Sequence, residues 1–129
     1  MAQKKKILVV DDERDIVKAL MIRLKTHGYD VVTAFDGAQG VFMAHKEKPD
    51  LIILDIRMPA GDGFSVAAKL RESTSTLDIP IIFLTGSPER ASEERAMEVG
   101  GRFYIKKPYD PEELLDAVRR ALGIESPGL

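Results

Sequence analysis

Acids, a hydroxyl and an ammonium recur in this chain at one kind of place, the point where a short apolar run stops. Asp11 and Asp12 follow Ile7 to Val10, and Asp55 follows Leu51 to Leu54. Thr85 and Gly86 follow Ile81 to Leu84, and Lys106, Lys107 and Pro108 follow Phe103 to Ile105. Each alone has an ordinary structural use. Acids opening a helix complement its positive end, a single Asp or Thr after a strand commonly caps a turn, and a Lys-Pro pair punctuates a loop. Glu13, next to Asp12, reads as such a helix-start residue.

Collected at one site, the same residues could do chemistry. Two carboxylates about 5 Å apart repel by roughly 3 kcal/mol at an effective dielectric near 20, so three of them call for a counter-charge. A hard divalent cation supplies it, and carboxylate, carbonyl and water oxygens suit Mg²⁺. His27 and His45 lie outside the group, which argues against zinc. A carboxylate beside Mg²⁺ can attack phosphorus. The transition state then spreads charge over three equatorial oxygens, for which Mg²⁺, Lys107, and Thr85 with the Gly86 N–H would be three partners.

The elements that must bring these residues together are legible as well. Five short apolar runs, Ile7 to Val10, Tyr29 to Ala34, Leu51 to Leu54, Ile81 to Leu84 and Phe103 to Ile105, alternate with segments of helical period. That alternation predicts a parallel sheet with helices on both faces. In such sheets ligands bind beyond the carboxyl ends of the strands, the end at which all the candidate residues fall.

The first helix carries Ile16, Val17, Leu20, Met21 and Leu24 on one stripe and closes at Gly28. Asp36 with Gln39 caps the second, and Phe64, Ala67, Ala68 and Leu70 line the third. Ser87-Pro88 opens the fourth, and Asp110-Pro111-Glu112-Glu113 opens the fifth with a cap, a first-turn proline and a capping-box acid.

Composition narrows the class. The 129 residues fit one domain, with 44% hydrophobic and 31% charged residues and a net charge of -2. The balance offers no bulk basic footprint for nucleic acid, and no apolar run approaches the roughly 20 residues that span a bilayer. MAQKKK is followed by too short an apolar stretch for a secretory signal. The chain has no cysteine, which excludes disulfides and thiolate chemistry and suits a cytoplasmic protein.

In order and spacing, the Asp11-Asp12 pair, LDIRMPAGDG at 54 to 63, LTG at 84 to 86 and YIKKPY at 104 to 109 resemble the receiver domain of two-component response regulators. The resemblance runs from about Lys5 to Leu122. It implies an α/β, doubly wound (βα)5 flavodoxin-like fold with a five-stranded parallel sheet of order 2-1-3-4-5. It implies Asp55 as phosphoacceptor, Asp12 as direct Mg²⁺ ligand, Asp11 as a ligand through water, and the Arg57 backbone carbonyl as a further ligand. Lys107 would pair with the phosphoryl group, Pro108 would follow a cis bond, and Thr85 and Tyr104 would form the switch pair.

The implied partners are a sensor histidine kinase or phosphotransfer protein and an unknown downstream protein, with a homodimer on phosphorylation as one outcome. No direct nucleic-acid or membrane partner is implied. The expected organisation is a single receiver domain over 1–129, with a core of about 5–122, a short tail at 123–129 and no output domain. The expected activity is that of a switch that labels itself from phosphodonors and slowly loses the label.

Arg102, Phe103 and Lys106 depart from the commonest receiver pattern and make the switching face more basic and apolar. Three other classes are the alternatives. A flavodoxin-like cofactor binder would need a phosphate-welcoming loop where Asp11-Asp12-Glu13 stands. A phosphohydrolase with an aspartyl nucleophile would need a second acid and a cap. A degenerate receiver acting only as a binding module would lack part of the acid, threonine and lysine set.

Overall fold

The computed structural model describes residues 4–58, 62–86 and 90–124. The elements run β1 (Lys6–Val10), α1 (Arg14–Thr26), β2 (Asp30–Ala34), α2 (Gly37–Glu47), β3 (Leu51–Asp55), α3 (Gly63–Arg71), β4 (Ile81–Thr85), α4 (Arg90–Glu98), β5 (Gly101–Lys106) and α5 (Pro111–Ala121). The strands form one parallel sheet in the order β2-β1-β3-β4-β5. Among the described residues no helix is long and apolar enough to cross a membrane.

Strand alternation divides the core in two. Leu8, Val10, Ile52, Leu54, Ile81 and Phe83 face Ala44 of α2, Phe64, Ala67 and Leu70 of α3, and Ala96 of α4. Ile7, Val9, Ile53, Ile82, Leu84 and Ile105 face Val17, Leu20 and Leu24 of α1 and Leu114, Leu115 and Val118 of α5. All five residues of β3 and all five of β4 are buried, as a strand covered on both faces requires. Each such Leu or Ile contributes about 1.5–3 kcal/mol on leaving water.

Helix ends follow local chemistry. Asp36 accepts from the Gln39 N–H at 2.8 Å, and the Gln39 side chain in turn accepts from the Phe35 N–H. Gly28 has φ +90 just past α1, a conformation that favours glycine. Asp110 caps α5 by accepting from Glu112 N–H, with Pro111 in the first turn. Asp62 caps α3 by accepting from Ser65 N–H at 2.9 Å, a start that the apolar pattern does not reveal. Ser87 and Pro88 lie outside the described residues.

Several strand boundaries differ from those the apolar runs suggest. Asp55 pairs with Leu84 and Thr85 with Lys106 in the ladders, so both are final strand residues and take their direction from the sheet. Strand β5 starts at Gly101, and the register shift opposite Ile81 and Ile82 leaves Arg102 as an extra residue. A bulge of this kind disrupts an exposed edge and discourages pairing with another chain.

At the opposite end of the sheet from the carboxylates, Arg71 ties three segments together. Its guanidinium donates to the carbonyls of Leu77 at 2.6 Å, Ile79 at 3.0 Å, Val99 at 3.1 Å and Gly100 at 3.1 Å, with a weaker contact to Thr76 at 3.4 Å. Gly100 has φ +89, and a Cβ there would lie 2.5 Å from Arg71 Nε. The Thr76 hydroxyl, fully buried, donates to Leu70 carbonyl at 2.6 Å. These bonds fix the end of α3 and the α4–β5 turn with respect to one another.

Candidate functional site

The carboxyl ends of β1, β3, β4 and β5 bring five of the predicted residues to one rim. Carboxylate oxygens of Asp11, Asp12 and Asp55 lie within 4.8 Å of one another. Asp11 is fully buried, Asp55 is 3% exposed and Asp12 is exposed. The group therefore has a buried floor and an open side. Its donors are all oxygen, in a number and spacing that fit a hard divalent cation.

Asp11 is held from two directions. Its Oδ1 accepts from the Glu13 N–H at 3.0 Å, and its Oδ2 accepts from Lys107 Nζ at 2.9 Å. Lys107 Nζ is also 3.3 Å from Glu13 Oε1 and 3.6 Å from Asp55 Oδ1. One ammonium thus faces three carboxylates. Burial lowers the Lys107 pKa, but the hydrogen bond and charge of Asp11, with the charges of Asp55 and Glu13, outweigh it and hold the pKa above its ordinary value.

Burial and the neighbouring Asp11 charge push the Asp55 carboxyl up to about 6. Lys107 and a hydrogen bond from the Arg57 N–H oppose that rise, and Asp12 adds to it. The direction is that of a carboxylate short of positive charge. Arg57 itself is exposed and reaches the site through its backbone.

Thr85 is buried at the end of β4, and its carbonyl accepts from the Lys107 N–H at 2.6 Å. The Lys107-Pro108 bond is cis. Gly86 is exposed, and a Cβ placed on it would meet no atom within 4 Å, so the space beside it is open. Tyr104 pairs with Phe83 across the ladder and packs half-buried against the α2, α3 and α4 side of the core. Thr85 and Phe83 share a face of β4 by alternation, so Thr85 and Tyr104 stand on the same face of the sheet.

Three residues joined to the site escape a reading of apolar runs. Glu13 is the N-cap of α1, yet its side chain makes no capping bond and turns to Lys107. Gly63, the first residue of α3, donates its N–H to Ile56 carbonyl at 2.8 Å. A Cβ on Gly63 would press on the backbone of Asp55 and Ile56, which only glycine avoids, and Asp62 anchors that turn. His27 lies at the end of α1 with Nδ1 2.9 Å from Arg23 carbonyl, and His45 contacts Ser75 at 3.4 Å. Both histidines have partners away from the carboxylates.

The sequence matches the response regulator receiver domain over residues 7–119. It is 43% identical over 118 residues to the alkaline phosphatase synthesis transcriptional regulatory protein PhoP of Bacillus subtilis (strain 168), covering 92% of this chain and 48% of that protein. It is 39% identical over 117 residues to the DNA-binding dual master transcriptional regulator RpaA of Synechocystis, covering 91% of this chain and 48% of that protein. The chain spans about half the length of the curated relatives it matches.

Among solved structures, the Vibrio cholerae chemotaxis protein CheY4 superposes with a TM-score of 0.88 at 32% identity, over 93% of this chain and 100% of that one. The receiver domain of the sensor histidine kinase PA1611 from Pseudomonas aeruginosa, solved with a magnesium ion coordinated in its active site cleft, gives 0.86 at 30% identity over 94% and 99%. The five-stranded parallel sheet, the acidic rim and these matches lead to one conclusion: the chain belongs to the response regulator receiver domain family.

Proposed function

We propose that the chain is a phosphorylation-controlled signalling switch in which Asp55 accepts a phosphoryl group from a phosphohistidine of a sensor histidine kinase or phosphotransfer protein. The observation that carries this reading is the placing of the Asp55 carboxylate, nearly buried, beside Asp11, Asp12 and Lys107. An Asp55 carboxylate oxygen attacks phosphorus. The P–N bond of the phosphoimidazole breaks, its electron pair stays on the ring nitrogen, and an aspartyl phosphate remains.

Mg²⁺ would be held by Asp12 and Asp55 directly, by the Arg57 backbone carbonyl, and by Asp11 through water. When bound, it offsets the carboxylate charge and that on the phosphoryl oxygens. The chain's own groups do the rest. Lys107 is within a short swing of Asp55 and can pair with one phosphoryl oxygen, while the Thr85 hydroxyl and the Gly86 N–H serve another. Such groups stabilise the charge spread over the equatorial oxygens.

The readout follows from the added charge, about -1.5 to -2, and its new acceptor oxygens. Thr85 is drawn toward them, and Tyr104, on the same face of the sheet, moves into the space released. The population of α4, β5 and α5 arrangements shifts because the phosphoryl group favours one of them. A downstream protein reads that face. The label forms from small phosphodonors too and is lost slowly, so the chain is a switch and not a turnover enzyme.

Intact mass of the protein after incubation with Mg²⁺ and acetyl phosphate tests the acceptor. Wild type is expected to gain one phosphoryl group and Asp55→Asn none. Equal labelling of the two would overturn the assignment.

A further inference from the structure

We infer that Glu13 is a positioning residue that holds Lys107 away from Asp55, so that it restrains phosphoryl acceptance at the site. The inference rests on the reading of Asp55 as phosphoacceptor and names a regulator of that same site.

Glu13 occupies the N-cap of α1, where a side chain normally accepts from the helix's first N–H groups. It makes no such bond, and its carboxylate reaches Lys107 Nζ at 3.3 Å instead. The ammonium has three N–H groups. Asp11 at 2.9 Å and Glu13 at 3.3 Å are both nearer to it than Asp55 at 3.6 Å. In this arrangement the lysine is shared mainly between residues at the start of α1.

A phosphoryl group on Asp55 draws that ammonium toward Asp55, and the move lengthens its contact with Asp11 or with Glu13. Asp11 is fully buried and is also bound by the Glu13 N–H. Its release would strand a buried charge, which is costly. The Glu13 side chain is 59% exposed and can turn into water at little cost. Glu13 is therefore the partner that yields, and until it does it keeps Lys107 on the α1 side. Because the Asp11 bond comes from the Glu13 backbone, replacing the side chain leaves that bond in place. Glu13 also stands outside the group of Asp11, Asp12 and Asp55 oxygens, so it acts through Lys107 and not as a metal ligand.

The test compares wild type, Glu13→Gln and Glu13→Asp for the initial rate of labelling by acetyl phosphate at saturating Mg²⁺, with Mg²⁺ affinity measured separately by calorimetry. Glu13→Gln is expected to label about two- to fivefold faster, the range that an exposed ion pair supports. Glu13→Asp keeps the charge but falls one methylene short of Lys107, and it is also expected to label faster. Mg²⁺ affinity is expected to stay within about twofold in both, as befits a pair outside the metal group.

Unchanged or slower labelling of Glu13→Gln overturns the inference. So does an Asp variant that labels at the wild-type rate, since charge alone would then be acting. A Mg²⁺ affinity about tenfold weaker is the loss typical of a residue that supports the metal's ligands; Glu13 would then act through the metal group and not through Lys107, which overturns it equally. If wild type itself takes no label, or Asp55→Asn labels as well as wild type, the reading of Asp55 fails instead.

Discussion

A Cβ on Gly63 would lie 2.5 Å from the carbonyl oxygen of Asp55. The start of α3 is thus packed against the backbone of the residue on which the proposed chemistry depends. Any side chain at 63 must displace the end of β3 or lift α3 from it. Gly63→Ala is expected to cost about 1–3 kcal/mol, the usual range for overpacking, and to slow labelling by acetyl phosphate, because the Asp55 carboxylate moves relative to Lys107. Thermal unfolding with labelling rates checks this; a variant that labels and melts as wild type would show that the helix start yields freely.

Asp55 gives a pH dependence whose sign is fixed. Its folded pKa, about 6, lies above the ordinary aspartate value near 4, so the folded state keeps a proton that the unfolded state has released. Without Mg²⁺, stability contributed by this group is fully present below about pH 4 and is lost as pH rises through about 6, a total of up to about 3 kcal/mol. Asp55→Asn is expected to melt higher than wild type at about pH 8 and to lose that advantage on acidification toward pH 4. Melting curves across the range measure it.

Lys107 and the proposed divalent cation would serve the same carboxylates. Lys107→Met leaves Asp11 buried without its ion pair, for a loss of about 3 kcal/mol. Mg²⁺ is expected to raise the melting temperature of this variant more than that of wild type, by preferential binding to the folded state. Its labelling is expected to fall by about a hundredfold, as for removal of a transition-state donor. A Mg²⁺ effect equal in the two proteins would argue against competition for one set of oxygens.

Arg71 offers a test away from the rim. Arg71→Met strands the carbonyls of Leu77, Ile79, Val99 and Gly100. Several of them regain water, so the expected loss is about 2 kcal/mol, or about 8 °C in melting temperature for a domain of this size. Amide exchange is expected to quicken at Val99 and Gly100 and to stay unchanged at Leu8 and Val9. Uniform quickening would mean that the arginine supports the whole fold and not the α4–β5 turn.

Much of this could be read from the chain because a parallel sheet imposes a rule. If runs such as Leu51 to Leu54 and Ile81 to Leu84 are parallel strands, Asp55 and Thr85 must share an edge with Asp11 and Lys107, and they do. What periodicity could not supply are contacts set by the paths of loops. Glu13 meets Lys107 across 94 positions and Arg71 meets Val99 across 28, and neither pair has a local spacing that marks it. Arg71 is one of two basic residues in the last turn of α3, an ordinary place for one, and Glu13 reads as a helix-start acid. Asp62 and Gly63 directly precede Phe64, the first residue of the α3 stripe, but an apolar pattern does not mark a polar cap or a glycine needed for close packing. The extra residue at Arg102 is hidden likewise, since a bulge leaves an apolar run intact.

The 2.6 Å bond from the Lys107 amide to the Thr85 carbonyl gives the two proposed phosphoryl partners a common crossbar. Neither backbone can travel far unless the other is carried along or the bond opens. Side-chain rotation is therefore the inexpensive adjustment at the rim, while a wider displacement must be shared between the ends of β4 and β5. A signal received at one strand would then reach the outer edge of the sheet as a coordinated shift of two neighbours.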